Sequence, residues 1–267
     1  MTQRLIAGLA GLAVILPGII WGGVYAIAGL VAFFLLICLE EYAGMAAPEH
    51  KRLALAVLIP AGMAVHLAAV WWPMAVPVAV AVGIMAALVV PMIAIPDVEV
   101  AAKLAMRLGF GIVYAPMMMA PMIWLRREPD GLALVFLVLA VTWLGDTGAY
   151  FAGRFAGKTP LFLRVSPKKT REGVVGGVLL SVAGACIVKQ VGGVQMGWVA
   201  LIPLAVVLDL AGVLGDLAES LLKRAWGVKD SGWIMPGHGG ILDRVDALLF
   251  TAPLLWGVVL LRASGSR

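Results

Sequence analysis

Long apolar stretches, separated by short polar segments, repeat along almost the whole chain. Each is about 20 residues long, which is enough for a helix to cross a bilayer core about 30 Å thick. On this criterion the sequence predicts about nine membrane-spanning helices. They run roughly over residues 5–20, 24–39, 53–71, 74–95, 104–124, 131–151, 173–190, 196–222 and 245–262. The predicted fold class is therefore all-α, a polytopic membrane helix bundle.

The composition excludes a soluble globular domain. Hydrophobic residues make up 63% of the chain and charged residues only 13%, whereas about a quarter of the residues of a soluble domain are charged. The length suits a single integral membrane domain, residues 1–267. In it, residues 1–130 form the N-terminal spans, and residues 131–267 form the C-terminal spans and the most polar loops. We interpret the apolar N-terminus as a retained first span, because further spans follow directly.

Basic residues are distributed unevenly between the two predicted sides of the membrane. Most of the 20 Lys and Arg residues lie on the side that holds the N-terminus, and the positive-inside rule makes that side cytoplasmic. The net charge of +5 therefore reflects a basic cytoplasmic surface. Such a surface is suited to bind anionic lipid headgroups or nucleotides and not nucleic acid. The loops on this side lie near residues 40–52, 96–103, 154–172 and 223–244.

One polar segment, residues 220–246, stands between two apolar runs and reads SLLKRAWGVKDSGWIMPGHGGILDRVD. Charge near lipid is costly, so ionisable residues there indicate a functional site. The apolar run before it carries further polar residues at helical spacing, on the same face of one predicted helix: Asp209, Asp216, Ser220 and Lys223. The alternative is a buried Asp–Lys ion pair that fixes packing, an interpretation we favour for Asp209.

Asp243 and Asp246 lie three residues apart at the start of the last predicted span. Two carboxylates on a first helical turn suit a divalent cation, and Mg²⁺ prefers oxygen ligands and bridges to phosphates. The alternative is that these acidic residues simply complement the helix dipole. His238, in the glycine-rich loop before them, is a candidate general base or phosphate ligand, or else a residue of the turn itself.

A second polar region covers residues 145–173. Its first part, GDTGAYFAGR, places Asp146 near the cytoplasmic end of the sixth predicted span. Its second part, SPKKTREG, carries Lys168, Lys169 and Arg171 just before a predicted helix start, where backbone N–H groups favour anions. The alternative is an ordinary basic cytoplasmic loop. Both polar regions are predicted on the same side of the membrane, which favours a shared site.

These motifs resemble the signature of the phosphatidate cytidylyltransferase family, also called CDP-diacylglycerol synthases. In that family a Ser is followed by Lys-Arg, Lys-Asp, a His-Gly-Gly turn and Asp-Arg-x-Asp. The resemblance covers the C-terminal half of the chain, and one position departs from the pattern: Met235 stands where the family usually has Leu, Ile or Phe. The matching residues are Ser220, Lys223, Arg224, Lys229, Asp230, His238, Gly239, Gly240, Asp243, Arg244 and Asp246.

The resemblance implies a membrane enzyme that transfers CMP from CTP to phosphatidate, giving CDP-diacylglycerol and pyrophosphate. It implies Mg²⁺ held by Asp216, Asp243 and Asp246, allows a second cation, and adds Lys223 to these carboxylates as a catalytic residue. It also implies a homodimer in a bacterial inner membrane, and the loop charges predict that the active site and the N-terminus are on the cytoplasmic side. The expected substrate-binding residues are Ser220, Arg224, Lys229, His238, Arg244, Lys168, Lys169 and Asp146.

Two other functions stay open at this point. One is a related polyprenol or lipid kinase. The other is an ion-coupled membrane transporter, in which Asp146, Asp209 and Asp216 would bind an ion at mid-membrane. A transporter places polar groups deep within broken helices, whereas the strongest polar cluster of this sequence is predicted at a cytoplasmic edge.

Overall fold

The computed structural model describes residues 15–232 and 239–265, and it confirms the all-α, polytopic fold. Eight helices within these residues are long and apolar enough to cross a membrane. The first predicted span, residues 5–20, lies mostly outside the described residues, although residues 15–21 are helical. The predicted membrane-spanning architecture therefore holds wherever the chain is described.

The α-helices are α1 (Gly23–Ala46), α2 (Lys51–Trp71), α3 (Val76–Ala94), α4 (Val98–Ile112), α5 (Met118–Arg127), α6 (Gly131–Ala156), α7 (Arg171–Gly192), α8 (Trp198–Ala225) and α9 (Leu242–Gly265). Short 3₁₀ helices, Pro48–His50 and Pro73–Ala75, precede α2 and α3. Proline suits such starts because its missing N–H has no partner in a first turn anyway.

A π-helical segment, Val113–Met117, joins α4 to α5, so that the two form one continuous span. Pro116 lies within this segment and lacks the N–H that a regular α-helix would use, which accounts for the wider turn. The span begins at Val98, earlier than the predicted residue 104. The Asp97 side chain caps it by accepting from the Val100 N–H at 2.9 Å, so the charged residues after it belong to the helix.

The chain divides into two compact units, and the first contains Met1–Trp124 together with Asp230–Arg244. In it, α1 to α4 pack against their neighbours, and polar side chains tie them together at helix ends. The Tyr42 hydroxyl donates to the Arg107 carbonyl at 2.7 Å, and the Arg107 guanidinium donates to the Ala46 carbonyl at 2.6 Å.

The second unit contains Leu125–Lys229 and Val245–Arg267, and its centre is the contact between α6 and α7. Glycines on both helices allow the two backbones to approach closely, as small residues do in membrane helix pairs. A Cβ on Gly148 would overlap the carbonyl of Gly176, and a Cβ on Gly176 would overlap the Ala152 methyl group. The fit between these helices therefore depends on positions that carry no side chain.

A β-hairpin between α6 and α7 was not predicted. Strands β1 (Pro160–Phe162) and β2 (Ser166–Thr170) pair antiparallel, within the segment 154–172 that the sequence predicts as a loop. The predicted helix start is nevertheless correct, because Thr170 caps α7 by accepting from the Gly173 N–H at 3.1 Å. The hairpin fixes the positions of the basic residues on β2.

We expect Gly148→Ala to destabilise the second unit by about 1–3 kcal/mol, because the added methyl group overpacks the α6–α7 contact. The matched control is Gly257→Ala on α9, where a Cβ would meet no atom of the described residues within 4 Å. Thermal unfolding of both variants in detergent micelles measures the difference. Equal melting temperatures for the two variants would contradict the close packing.

Candidate active site

A cavity of about 430 Å³ lies within the second unit, lined by residues of α6, the hairpin strand β2, α7, α8 and α9. Its walls are mostly apolar or glycine, so the charged residues on them stand out. They include four of the residues singled out from the sequence, together with one that we had interpreted as structural. These five are Asp146, Lys168, Lys169, Asp216 and Asp209.

Lys169 and Asp216 form the central ion pair of this cavity. The Lys169 ammonium lies 2.6 Å from Asp216 Oδ2, with the two side chains 25% and 32% exposed. The other oxygen of Asp216 accepts from the Ser220 hydroxyl at 3.3 Å, one helical turn further along α8. Because both partners keep contact with solvent, an incoming phosphate or cation can compete for either of them.

Lys168 and the start of α7 add positive charge to the same wall. Lys168 is exposed on β2 beside Lys169, and Thr170, Gly173 and Val174 from the first turn of α7 also line the cavity. A helix N-terminus carries partial positive charge and unpaired N–H groups, which favour anions. The structure thus brings together the predicted lysines and the predicted helix start.

Asp209 lies deeper in the cavity wall and is only 5% exposed. One carboxylate oxygen hydrogen-bonds to the Ser181 hydroxyl, which also lies 2.8 Å from the Val141 carbonyl. The other oxygen, Oδ2, accepts no hydrogen bond from any described residue. Gly145 makes room for this group, since a Cβ there would overlap both the Asp209 carboxylate and Ser181. The hydrogen-bond partner of Asp209 is therefore a serine of α7. The spacing of polar residues along α8 could not indicate this partner, because it lies on another helix.

Two further buried carboxylates lie near this group. Asp246 is 7% exposed and lies close enough to Asp216 and Asp146 for their negative charges to repel each other. Glu219 is fully buried, and one of its oxygens lies 3.3 Å from the Lys223 ammonium. Glu219 was not among the residues predicted from the sequence, although its position one turn before Lys223 was the available signal.

The donor chemistry of this region fits a hard divalent cation. Asp146, Asp216 and Asp246 offer only oxygen atoms, and a cation between them would offset the repulsion of like charges. The unpaired Oδ2 of Asp209 is a further oxygen of the same kind. Among the described residues, no three His, Cys, Asp or Glu side chains are already grouped as a metal site. A cation would therefore have to draw its ligands together, or complete its coordination with substrate oxygens and water.

Asp243 organises the loop that leads into α9. Its Oδ2 accepts hydrogen bonds from the Gly240 N–H at 2.7 Å, the Ser231 N–H at 3.0 Å and the Ser231 hydroxyl at 2.9 Å. A first-turn carboxylate that accepts backbone N–H groups of the preceding loop holds that loop against the start of the helix. Asp243 thus stabilises the helix start, as the alternative interpretation expected, and its predicted role as a metal ligand stays a prediction.

The remaining predicted residues take different positions. Arg224 is exposed in the last turn of α8, Lys229 is exposed in the loop after it, and neither belongs to the cavity lining. Arg244 is exposed on the first turn of α9. His238 lies outside the described residues, so its role stays a prediction.

Residues 2–261 match the sequence profile of the cytidylyltransferase family. The chain belongs to this family. Its membership confirms the resemblance carried by the 220–246 segment, and it does not favour the transporter or kinase alternatives.

Several relatives of this family member carry the name phosphatidate cytidylyltransferase. The relative in Staphylococcus epidermidis is 44% identical over 134 residues, which are 50% of this chain and 52% of the relative. The relative in Bacillus subtilis is 45% identical over 126 residues, 47% of each chain. The relative in Brucella suis is 43% identical over 147 residues, 55% of this chain and 54% of the relative. The chain spans about half the length of the curated relatives it matches.

We expect Ser181→Ala to destabilise this family member by about 1–3 kcal/mol, because it removes the hydroxyl group that hydrogen-bonds to the buried Asp209. The control is Ser264→Ala, since Ser264 is exposed and its hydroxyl bonds only to its own helix, at the Leu261 carbonyl. Melting temperatures in detergent measure both changes. An unchanged melting temperature for Ser181→Ala would mean that the hydrogen bond to Asp209 contributes nothing to stability.

Proposed function

We propose that this chain is a phosphatidate cytidylyltransferase, which transfers the cytidylyl group from CTP to phosphatidate and forms CDP-diacylglycerol and pyrophosphate. The observation that carries the proposal is the cavity that Lys168, Lys169, Asp146 and Asp216 line together, with Lys169 paired to Asp216. Paired cations and carboxylates suit a nucleotide triphosphate and its metal ion. The relatives of this name and the family membership supply the identity of the two substrates.

Lys168, Lys169 and the N-terminus of α7 bind the anionic phosphates in this proposal. Lys168 is exposed at the cavity and meets an incoming phosphate first. Lys169 exchanges its contact with Asp216 for phosphate oxygens, which leaves Asp216 available to a cation. Binding of the triphosphate thereby frees the Asp216 carboxylate to bind the cation.

The reaction needs no covalent intermediate on the protein. A phosphate oxygen of phosphatidate attacks the α-phosphorus of CTP, and the bond from that phosphorus to the oxygen bridging to the β-phosphate breaks. The electron pair of this bond leaves with pyrophosphate. Such transfers depend mainly on positioning and on neutralising charge at the phosphates. Ser220, which hydrogen-bonds to Asp216, therefore serves to bind and orient, not as a nucleophile.

Asp216 and Asp246 are the carboxylates that would hold Mg²⁺, with Asp243 as a further predicted ligand. When bound, the ion neutralises charge that develops on the phosphate oxygens and on the leaving group. The carboxylates fix the place where the α-phosphate can be bound. The chemistry of the site also allows a second cation, because Asp146 and Asp209 add oxygen ligands on the same cavity.

Other predicted residues complete this proposal. Lys223, paired with buried Glu219, steadies phosphate oxygens, and the exposed Arg224, Lys229 and Arg244 attract the triphosphate or the lipid phosphate. His238 is proposed as a substrate contact.

The chain is a multi-pass membrane protein, and we propose a definite placement for it. The excess of basic residues on one side puts the site and the N-terminus in the cytoplasm of a bacterium, with the protein in its inner membrane. CTP then reaches the site from the cytoplasm and phosphatidate from the bilayer. We propose a homodimer as the assembly.

Purified protein mixed with radiolabelled CTP, phosphatidate and Mg²⁺ should form a lipid that carries the label. Asp216→Asn and Asp243→Asn should each lower the rate about 100-fold or more, since losing one charge-stabilising group at a transferring phosphoryl costs about that much. The control is Glu99→Gln, which removes an exposed carboxylate ion-paired with Lys103 on α4. Absence of labelled lipid with the unaltered chain would end the proposal, and near-normal rates in both Asn variants would refute the metal assignment.

Lys169→Gln should raise the KM for CTP about tenfold or more, because a hydrogen bond to a charged group contributes about 1.5–3 kcal/mol. Lys103→Gln is the matched control, since Lys103 pairs with a carboxylate on an exposed helix surface. Steady-state kinetics with varied CTP and saturating phosphatidate separate KM from kcat. If KM rose only for phosphatidate, Lys169 would bind the lipid phosphate instead.

A further inference from the structure

Glu41, near the end of α1, is a buried carboxylate that none of the sequence motifs accounts for. It is 3% exposed. Its Oε1 accepts from the Ile241 N–H at 2.9 Å, and its Oε2 accepts from the Leu242 N–H at 2.8 Å. The two donors are consecutive backbone groups at the start of α9, so one carboxylate spans the beginning of this helix.

The first N–H groups of a helix have no partner within the helix, and burying them unpaired is costly. A carboxylate satisfies two of them at once and also complements the positive end of the helix dipole. Glu41 does this from a helix about 200 residues away in sequence, with separations of 200 and 201 residues to its two donors. It therefore fixes where α9 begins relative to α1.

Ser231 connects this contact to Asp243. Its hydroxyl lies 3.3 Å from Glu41 Oε2 and 2.9 Å from Asp243 Oδ2, and its own N–H donates to the same Asp243 oxygen. Asp243 also accepts from the Gly240 N–H. Glu41, Ser231 and Asp243 thus form one hydrogen-bonded chain of buried or half-buried side chains.

Two glycines give Glu41 the space that this contact needs. A Cβ on Gly232 would overlap the Glu41 carboxylate, and a Cβ on Gly240 would overlap both Glu41 and the Ser231 hydroxyl. Gly240 is the second glycine of the His-Gly-Gly turn. Its lack of a side chain therefore has a physical reason in this structure, which is the approach of a carboxylate from α1.

We propose that Glu41 is a positioning residue, which sets the start of α9 and, through Ser231, the orientation of the Asp243 carboxylate. Its role in turnover rests on the proposed function, in which Asp243 binds the metal ion. Glu41 touches neither substrate nor metal in this proposal and acts only through α9 and Asp243. The neighbouring Glu40 does not contact α9 in this way, since it forms an exposed ion pair with Lys51.

The first test measures the anchoring itself, without any activity. Hydrogen–deuterium exchange, followed by mass spectrometry, is compared for Glu41→Gln, for the matched control Glu40→Gln and for the unaltered chain in the same detergent. Backbone amides in peptides that cover residues 239–244 should exchange at least tenfold faster in Glu41→Gln only. Equal exchange in all three proteins would overturn the proposal.

The second test separates positioning from general damage. With CTP and phosphatidate as substrates, Glu41→Gln should lower kcat at least tenfold and leave the KM for CTP within twofold. Glu41→Asp, which keeps the charge but is one methylene shorter, should recover part of kcat. An unchanged kcat in Glu41→Gln would overturn the role in turnover, and so would a rise in KM with no change in kcat.

Ser231→Ala serves as a milder variant in case Glu41→Gln does not fold. It leaves both N–H contacts of Glu41 in place but removes the hydroxyl between Glu41 and Asp243. We expect kcat to fall about threefold or more, with slow exchange retained at Ile241 and Leu242, and a normal kcat would overturn the link to Asp243. If the unaltered chain makes no CDP-diacylglycerol, the proposed function fails, and the exchange test alone decides whether Glu41 anchors α9.

Discussion

The cost of burying charge among apolar helices is the constraint on which this structure depends. A carboxylate taken out of water needs a cation or hydrogen-bond donors, and an unpaired one shifts or disrupts the structure around it. Three of the described carboxylates meet this requirement in two ways. Asp216 and Glu219 have lysine partners, Lys169 and Lys223, whereas Glu41 is held by backbone N–H groups. A carboxylate paired with a lysine can exchange that partner during a reaction. A carboxylate held by backbone N–H groups cannot do so unless the start of the helix unfolds.

This distinction separates reactive from structural acidic residues better than burial alone. Asp216 is partly exposed and paired with a lysine side chain, which a phosphate or a cation can displace more easily than it can displace a backbone N–H group. Asp243 accepts three hydrogen bonds on one oxygen and thereby stabilises a loop, while its role as a metal ligand stays a prediction. One residue can serve both purposes because a carboxylate offers about four acceptor sites.

Apolar length was enough to predict the spans, and clustered charge was enough to predict which loops matter. The spans followed from the length and apolar content of each stretch, which do not depend on distant contacts. The hairpin at 160–170 was missed because its strands are short and their pairing depends on a turn, not on a hydrophobic period. Glu41 and Ser181 were beyond prediction for another reason. Their importance comes from partners 200 and 28 residues away, and a single sequence holds no signal for such pairings.

The contact of Glu41 with the start of α9 has a consequence for biogenesis. α1 enters the membrane early in synthesis, while the backbone groups that satisfy Glu41 emerge about 200 residues later. At about 5–20 residues per second, this delay is roughly 10–40 seconds. During that time the two backbone N–H groups that hold the carboxylate have not yet been synthesised. Only a chain that has been translated past Leu242 can therefore satisfy the charge of Glu41 with these backbone groups.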